Sequence, residues 1–142
     1  MPTFQIVIDT NVFVAALRSR RGASYKLLTL LRSEKFAINL SVPLALEYEA
    51  AAKRLSHELR LTAGDIDDIL DYMCAVANRR QVFYLWRPFL KDPKDDMVLE
   101  LAVTANCDVI VTYNIADFQG IESFGLRVMT PKDFLQTIEE VP

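Results

Sequence analysis

Short apolar segments rich in β-branched residues alternate along this chain with segments whose apolar residues recur at helical spacing. The short segments predict five strands, at residues 4–8, 36–40, 82–85, 108–112 and 126–129. Helices are expected between these strands and after the last one. Strands that alternate with helices form a mainly parallel sheet with helices on both faces. The predicted fold class is therefore α/β, a three-layer α/β/α sandwich with a central, mainly parallel sheet.

Helix starts are marked by residues that cap the first turn. Asn11 is expected to cap a helix that runs to about Leu17, directly after the first strand. Ser41, Thr62 and Asp92 are the predicted caps of three later helices. The clearest of these starts is Asp92, because a proline follows it at the first helical position.

Length and composition indicate a single domain. Residues 1–142 carry 16 Lys and Arg against 19 Asp and Glu, and 51% of the chain is hydrophobic, which is enough for a core without disulfides. The apolar runs are too short for a membrane span, and the start lacks the pattern of a signal peptide. The two cysteines, Cys74 and Cys107, make neither a disulfide framework nor a zinc site. We therefore expect a cytoplasmic protein that does not bind a membrane.

Polar residues follow the predicted strands at the edge where ligands bind. In parallel sheets, ligands bind outside the carboxyl ends of the strands. This rule selects Asp9 after the first strand, Ser41 after the second and Asn114 after the fourth. Each position also has an ordinary structural role open to it, since Asp9 can cap a helix and Asn114 with Asp117 can form a turn.

Acidic residues from separate segments map together to this same edge. They are Asp9, Glu47, the pair Asp95 and Asp96, and Asp117. Carboxylates that share one cleft repel each other and raise each other's pKa, and a divalent cation relieves that repulsion. Oxygen ligands suit Mg²⁺ or Mn²⁺, which bind phosphates, activate water and stabilise charge on a scissile phosphate. The net charge of −3 argues against a broad coat of nucleic acid, but a cation site still admits nucleic acid as a substrate.

Four segments of the chain resemble the PIN-domain ribonucleases, and they occur in the order found in that family. The segments are residues 7–12, 46–48, 92–102 and 110–118, so the resemblance spans essentially the whole chain. The subgroup that it resembles most is the small single-domain bacterial and archaeal toxins of toxin–antitoxin pairs. The resemblance implies an α/β/α sandwich and an endoribonuclease that depends on Mg²⁺ or Mn²⁺. It also implies single-stranded RNA as the substrate and an antitoxin protein as a partner.

The resemblance assigns the metal-binding and catalytic roles to four acids. Asp9 matches the first acid of the family, and Glu47 matches the second because Tyr48 follows it directly. Asp96 matches the third, with Asp95 as a competitor that lies one residue earlier and about 100° away around a helix.

The fourth acidic position is less direct. Many family members have Asp where this chain has Asn114, and others have Asn there with Asp three residues later, as Asp117 is here. We therefore expect Asp117 on the metal side, with Asn114 orienting a water. The resemblance places Thr10, Asn11, Asp95, Thr112 and Asn114 around the metal-binding carboxylates as positioning groups.

The basic run of Arg18, Arg20 and Arg21 follows the first helix. We expect these side chains to bind RNA phosphates near Asp9, with a solvated loop as the equal alternative. The apolar stripe of the helix after Thr62 is interpreted as core, or else as a surface for an antitoxin or for a second copy in a homodimer.

Two other functions remain as alternatives at this point. A phosphatase of the haloacid-dehalogenase type would use Asp9 as a nucleophile, but it would want a second Asp where this chain has Asn11. A module that binds RNA or protein without catalysis is favoured by Asn114 alone, whereas Asp9, Glu47 and Asp96 argue against a decayed site.

Overall fold

The computed structural model describes residues 3–82 and 89–139. Within them lie the strands β1 (Phe4–Ile8), β2 (Phe36–Leu40), β3 (Asn78–Arg79), β4 (Val109–Val111) and β5 (Arg127–Met129). These five strands form one sheet in which all neighbours are parallel, in the order β3-β2-β1-β4-β5. The predicted α/β class with a central parallel sheet is confirmed.

Helices cover both faces of this sheet, in three layers. They are α1 (Thr10–Arg18), α2 (Ala23–Thr29), α3 (Val42–Arg54), α4 (Ser56–Leu59), α5 (Ala63–Val76), α6 (Pro93–Thr104) and α7 (Pro131–Glu139). Helices α5, α3, α1, α2 and α7 contact one another in that succession, whereas α6 packs on β1, β2 and β4. Strands β1 and β4 are consequently buried on both faces, as their continuous apolar runs require. In the described part of the chain, no helix has the length and apolar character needed to cross a membrane.

The predicted capping residues are confirmed in three helices. Ser41, Thr62 and Asp92 each accept a hydrogen bond from a backbone N–H in the first turn that follows. The prediction that Asn11 caps α1 is wrong, because the cap is Asp9, whose Oδ1 accepts a hydrogen bond from the next backbone N–H at 2.8 Å. Strand β1 ends at residue 8, so the first residue after it already has the extended backbone of a cap.

The third strand differs from the prediction. Of the predicted strand at 82–85, residues 83–85 lie outside the described residues, and Val82 is not in a strand. The third strand of the sheet is instead the two-residue β3, which pairs with Asn39 and Leu40 of β2. The two later strands lie within their predicted ranges but are shorter.

A set of polar side chains joins the first three strands, and we call Gln5, Asn39, Asn78 and Arg80 the sheet network. Asn39 is fully buried, and its Nδ2 donates hydrogen bonds to Gln5 Oε1 at 3.1 Å and to the carbonyl of Ile6 at 3.2 Å. Asn78 Nδ2 donates to Gln5 Oε1 at 3.1 Å, and Arg80 Nε donates to Asn39 Oδ1 at 3.0 Å. These bonds compensate the burial of polar atoms between strands.

The strand order places a crevice at one point of the sheet. From β1 the chain moves outward through β2 to β3, and then returns to place β4 and β5 on the other side of β1. Connections from the adjacent strands β1 and β4 therefore leave in opposite directions. In open parallel sheets, this reversal point at the carboxyl ends of the strands is where ligands bind. Asp9 and Thr112 directly follow β1 and β4, so both lie at this point.

Candidate active site

Asp9 lies at the reversal point, and the residue is only 7% exposed. Its backbone N–H donates to the carbonyl of Val111 at 2.9 Å, which extends the pairing of β1 with β4 by one residue. Its Oδ1 accepts from the backbone N–H of Thr10, and its Oδ2 accepts from Thr112 Oγ1 at 2.7 Å. Both carboxylate oxygens thus have a defined orientation.

Thr112 connects the Asp9 carboxylate to its surroundings. The fully buried hydroxyl has one proton, donated to Asp9, and two lone pairs. Those lone pairs accept from Asn11 Nδ2 at 3.3 Å and from the backbone N–H of Asn114 at 3.0 Å. Asn11 Nδ2 also donates to Asp9 Oδ2 at 3.4 Å. The structure therefore brings together four of the predicted positioning residues with Asp9, and we call Asp9, Thr10, Asn11, Thr112 and Asn114 the Asp9 network.

The charge of Asp9 is opposed by its environment. Burial raises the pKa of Asp9 above its usual value, and the hydrogen bonds from Thr112 and Thr10 oppose part of that rise. The negative charges of Asp117 and Glu47 raise the pKa further. Asp9 is therefore close enough to both acids to interact with them, as expected from their positions along the chain.

Glu47 lies near this edge of the sheet because the contacts of the next residue, Tyr48, position helix α3. The Tyr48 hydroxyl donates to the carbonyl of Ile8, the last residue of β1, and its ring stacks on Phe13 with centroids 4.7 Å apart. These contacts fix α3 beside the end of β1 and so place Glu47 near Asp9. Glu47 Oε1 is 3.4 Å from Lys94 Nζ, a cation in the first turn of α6. Sequence reasoning missed Lys94, whose only signal was its place beside the predicted acids.

Asp95 is the acid of α6 that interacts with the others. Its half-buried position raises its pKa to about 6, and the charges of Asp9, Asp92, Asp117 and Asp96 contribute to that rise. A carboxyl group with such a pKa exchanges its proton near neutral pH unless a cation compensates its charge. This electrostatic coupling joins Asp95 to the acids that follow β1 and β4.

Asp96 has a different environment. It is 9% exposed, and its Oδ1 accepts hydrogen bonds from the backbone N–H groups of Phe89 at 3.1 Å and Leu90 at 2.9 Å. The carboxylate thereby fixes the backbone that precedes α6. The contacts therefore favour Asp95 as the acid of α6 that interacts with Asp9. The assignment of Asp96 as the third metal-binding acid stays a prediction.

Asp117 lies in the exposed 3₁₀ helix Ile115–Phe118 that follows β4. Its backbone N–H donates to the carbonyl of Asn114 at 3.0 Å, and the buried Phe118 anchors the turn. Its charge raises the pKa of both Asp9 and Asp95, so the turn directs it toward them.

We call Asp9, Glu47, Asp95 and Asp117 the acidic cluster. In residues 3–82 and 89–139, no group of three or more acidic, histidine or cysteine side chains is close enough together to hold a metal ion. Mg²⁺ does not require three protein ligands, because it is usually held by one or two carboxylates and keeps several waters or phosphate oxygens as ligands. Burial and, to a smaller extent, the charges of neighbouring acids raise the pKa values of Asp9 and Asp95. The donors of the acidic cluster are carboxylate oxygens, the type of ligand that a hard divalent cation prefers.

The structure does not bring the basic run to Asp9. Arg18 ends α1, so it lies about 13 Å from Asp9 along the helix axis. Its Nη2 forms an ion pair with Glu58 Oε2 at 2.7 Å. Arg20 and Arg21 follow at the start of the loop to α2. Contact of these side chains with RNA stays a prediction, and it would occur away from Asp9.

Comparison with known proteins shows the fold first and then the family. The structure is similar to the crystal structure of VapBC2 from Rickettsia felis bound to a DNA fragment from their promoter, with a TM-score of 0.62 and 17% identity over 88% of this chain and 97% of that one. The family described as PIN domain matches residues 5–116. The chain therefore belongs to the PIN domain family, whose members are generally nucleases. It is also 30% identical to an uncharacterised protein of Methanocaldococcus jannaschii over 96% of this chain and 92% of that protein.

Proposed function

We propose that this protein is a metal-dependent endoribonuclease that hydrolyses phosphodiester bonds in single-stranded RNA. The observation that carries the proposal is the electrostatic interaction between carboxylates of four segments near the reversal point of the sheet, where Asp9 interacts with Glu47, Asp95 and Asp117. Carboxylates that are kept together against their repulsion are typical of functional sites. Membership of the PIN domain family supports nuclease chemistry at this position.

The ion that we propose is Mg²⁺ or Mn²⁺. Asp9, Glu47 and Asp117 would hold it together with Asp95, or with Asp96 if that side chain exchanges its backbone contacts. When bound, such an ion supplies charge stabilisation at the phosphate and lowers the pKa of a water. The protein's own part is orientation, because the Asp9 network fixes the direction of the Asp9 oxygens before substrate arrives.

Two side chains of the site have further proposed roles. The Asn114 side chain is exposed beside the Asp9 network and would orient the attacking water. Asn11 donates its amide hydrogens to Thr112 and Asp9, so it serves as a positioning group and not as the second acid of a phosphatase. The geometry thus favours direct attack of water on the phosphate over a mechanism in which Asp9 forms an aspartyl-phosphate intermediate.

We further propose that the protein is the toxin of a toxin–antitoxin pair. Support comes from the small α/β/α domain, from membership of the PIN domain family and from the similarity to the VapBC2 structure. The partner would be an antitoxin protein, and the homodimer remains a second assembly to measure. A neighbouring gene whose product binds this protein and restores growth of cells that express it would support this role. Cells that grow equally well with and without that product would contradict it.

The nuclease proposal is tested with purified wild-type protein and a single-stranded RNA. Cleavage is expected with Mn²⁺ or Mg²⁺, no cleavage is expected with a chelator, and Asp9→Asn is expected to be inactive. The ion should also raise the melting temperature of the wild type. At an ion concentration of 100 times the dissociation constant, the free energy of unfolding should rise by about 2.7 kcal/mol. Asp67→Asn, which changes an acid on α5 paired with Lys53, is the matched control and should keep both effects. Equal cleavage by wild type and Asp9→Asn would overturn the proposal.

A further inference from the structure

Tyr113 is a half-exposed aromatic residue that is fixed in place beside the Asp9 network. The residue is 47% exposed, yet it is held at two points. Its backbone N–H donates to Asn11 Oδ1 at 3.2 Å, and its hydroxyl is hydrogen-bonded to Ser24 Oγ at 2.6 Å. Ser24 is only 2% exposed, so the bond attaches the ring to a buried side chain in the first turn of α2. The preceding residue is Thr112, which donates to Asp9.

These contacts hold the ring in one orientation while much of it faces solvent. An aromatic group that is already ordered loses little conformational entropy when a ligand packs on it, so its contact area contributes more fully to binding. Nucleic-acid bases stack on aromatic side chains in proteins that bind single strands, and this stacking tolerates any base. The sequence signal for such a role is an aromatic residue between two polar positions of the site.

The position of Tyr113 also fits the path of a substrate strand. On one side it adjoins the acidic cluster through Thr112 and Asn11. On the other side its hydroxyl contacts Ser24, and Arg21 precedes Ser24 by three residues, at most about 11 Å away between Cα atoms. A strand that is cleaved at the cluster and neutralised by the basic run would therefore cross Tyr113.

We propose that Tyr113 is a substrate-binding residue on which the base next to the scissile phosphate stacks, with Ser24 holding the ring in position. This inference rests on the proposed function, because it takes single-stranded RNA as the substrate. It assigns the residue to binding and not to the chemistry of hydrolysis.

The first test compares variants of Tyr113 in the Asp9→Asn protein, which prevents cleavage while binding to a labelled RNA is measured. Tyr113→Ala is expected to raise the Kd about 5- to 150-fold, the range observed for loss of one stacked base. Tyr113→Phe keeps the π face but loses the bond to Ser24, so its affinity is expected to fall between those of the parent and Tyr113→Ala. Tyr113→Leu fills a similar volume without a π face and should lose affinity as Tyr113→Ala does. Tyr72→Ala removes another half-exposed tyrosine, on α5, and is the matched control that should bind normally.

The second test identifies the stacked base and does not depend on how well an alanine variant folds. A set of RNAs in which one nucleotide at a time lacks its base is bound to the parent and to Tyr113→Leu. At one position the missing base should weaken binding by the parent but produce no further loss in Tyr113→Leu. Additive losses at every position, or a Kd for Tyr113→Ala equal to that of the parent, would overturn this inference alone. A wild-type protein that neither binds nor cleaves RNA would overturn the proposed function and this inference with it.

Discussion

Two polar networks, each centred on a fully buried side chain, lie at the same sheet and have opposite electrostatic character. The sheet network centres on Asn39, which is fully buried and uses both amide atoms in hydrogen bonds to Gln5, Ile6 and Arg80. It contains one cation and no carboxylate. Its hydrogen bonds compensate the burial of the Asn39 side chain. The network joins three strands without opposing charge.

The Asp9 network is equally well hydrogen-bonded but carries a charge that its surroundings oppose. Thr112 is as buried as Asn39, and all of its hydrogen-bonding capacity is used. Asp9 nevertheless has a raised pKa, because burial and the charges of Asp117 and Glu47 outweigh its hydrogen bonds. The comparison teaches that satisfied hydrogen bonds alone do not single out a candidate site. The property that does is a buried carboxylate whose pKa is raised by burial and by neighbouring acids.

The sharpest test of this comparison is at the two adjacent acids of α6. Asp95→Asn removes a charge from the acidic cluster, so RNA cleavage should fall by more than about 100-fold, beyond the loss typical of groups that only support a metal ligand. Its free energy of unfolding should stay equal or rise, since a repelled charge is removed. Asp96→Asn weakens bonds to two backbone N–H groups and should lower the free energy of unfolding by about 1 kcal/mol.

Cleavage assays and urea unfolding of both variants measure these effects. If only Asp96→Asn loses cleavage, Asp96 has the role predicted for it from the sequence and Asp95 is a supporting residue.

The second test breaks the sheet network instead. Asn39→Ala leaves Arg80 Nε without its acceptor and Gln5 Oε1 without one of its two donors, so the free energy of unfolding should fall by about 1–3 kcal/mol. Cleavage per folded molecule should be unchanged, because the network has no carboxylate in the acidic cluster. Urea unfolding and an assay at a temperature where the variant is folded check both parts. A stable variant that has lost activity would mean that the two networks are coupled.

The sequence predicted those features whose signals are local. The caps at Ser41, Thr62 and Asp92 were predictable because a capping side chain bonds to a backbone group a few residues away. The proximity of Asp9 and Asn114, which are joined through Thr112, was predictable because parallel strands end at one edge of a sheet. Both kinds of inference need only the order of elements along the chain.

The remaining features depend on contacts between distant residues. Asn39 lies in an apolar segment, and its partners Gln5 and Arg80 are 34 and 41 positions away, so no local pattern indicated the sheet network. The choice between Asp95 and Asp96 depends on which one the backbone at Phe89 and Leu90 contacts, and adjacent acids have no periodicity that distinguishes them.

The third prediction uses pH to sharpen the contrast between the networks. The pKa of Asp95 rises from 3.8 to about 6 on folding, so its protonated form favours the native state. The stability that this provides is fully present below pH 3.8 and is lost as the pH rises through about 6. With a chelator present, the free energy of unfolding of Asp95→Asn should therefore increase relative to wild type across this window and then level off. Urea unfolding at several pH values measures the difference, and a constant difference would contradict the prediction.

The smallest expected effect concerns the basic run, the positive counterpart of the acidic cluster. Removal of one arginine that binds a phosphate of a single strand should lower the slope of log K against log salt by about 0.7. Arg18 already pairs with Glu58, so we expect Arg20→Gln with Arg21→Gln to account for the change and Arg18→Gln alone to have little effect. Binding of RNA to these variants in the Asp9→Asn background, measured over several salt concentrations, gives the slopes.

The melting-temperature shift with Mn²⁺, measured with Asp9 intact, should be the same in all of these variants, because the basic run begins about 13 Å from Asp9 along α1. An unchanged slope in the protein that carries both Arg20→Gln and Arg21→Gln would show that these two arginines are solvated loop charges, and the acidic cluster would then bind RNA without a basic counterpart in this loop.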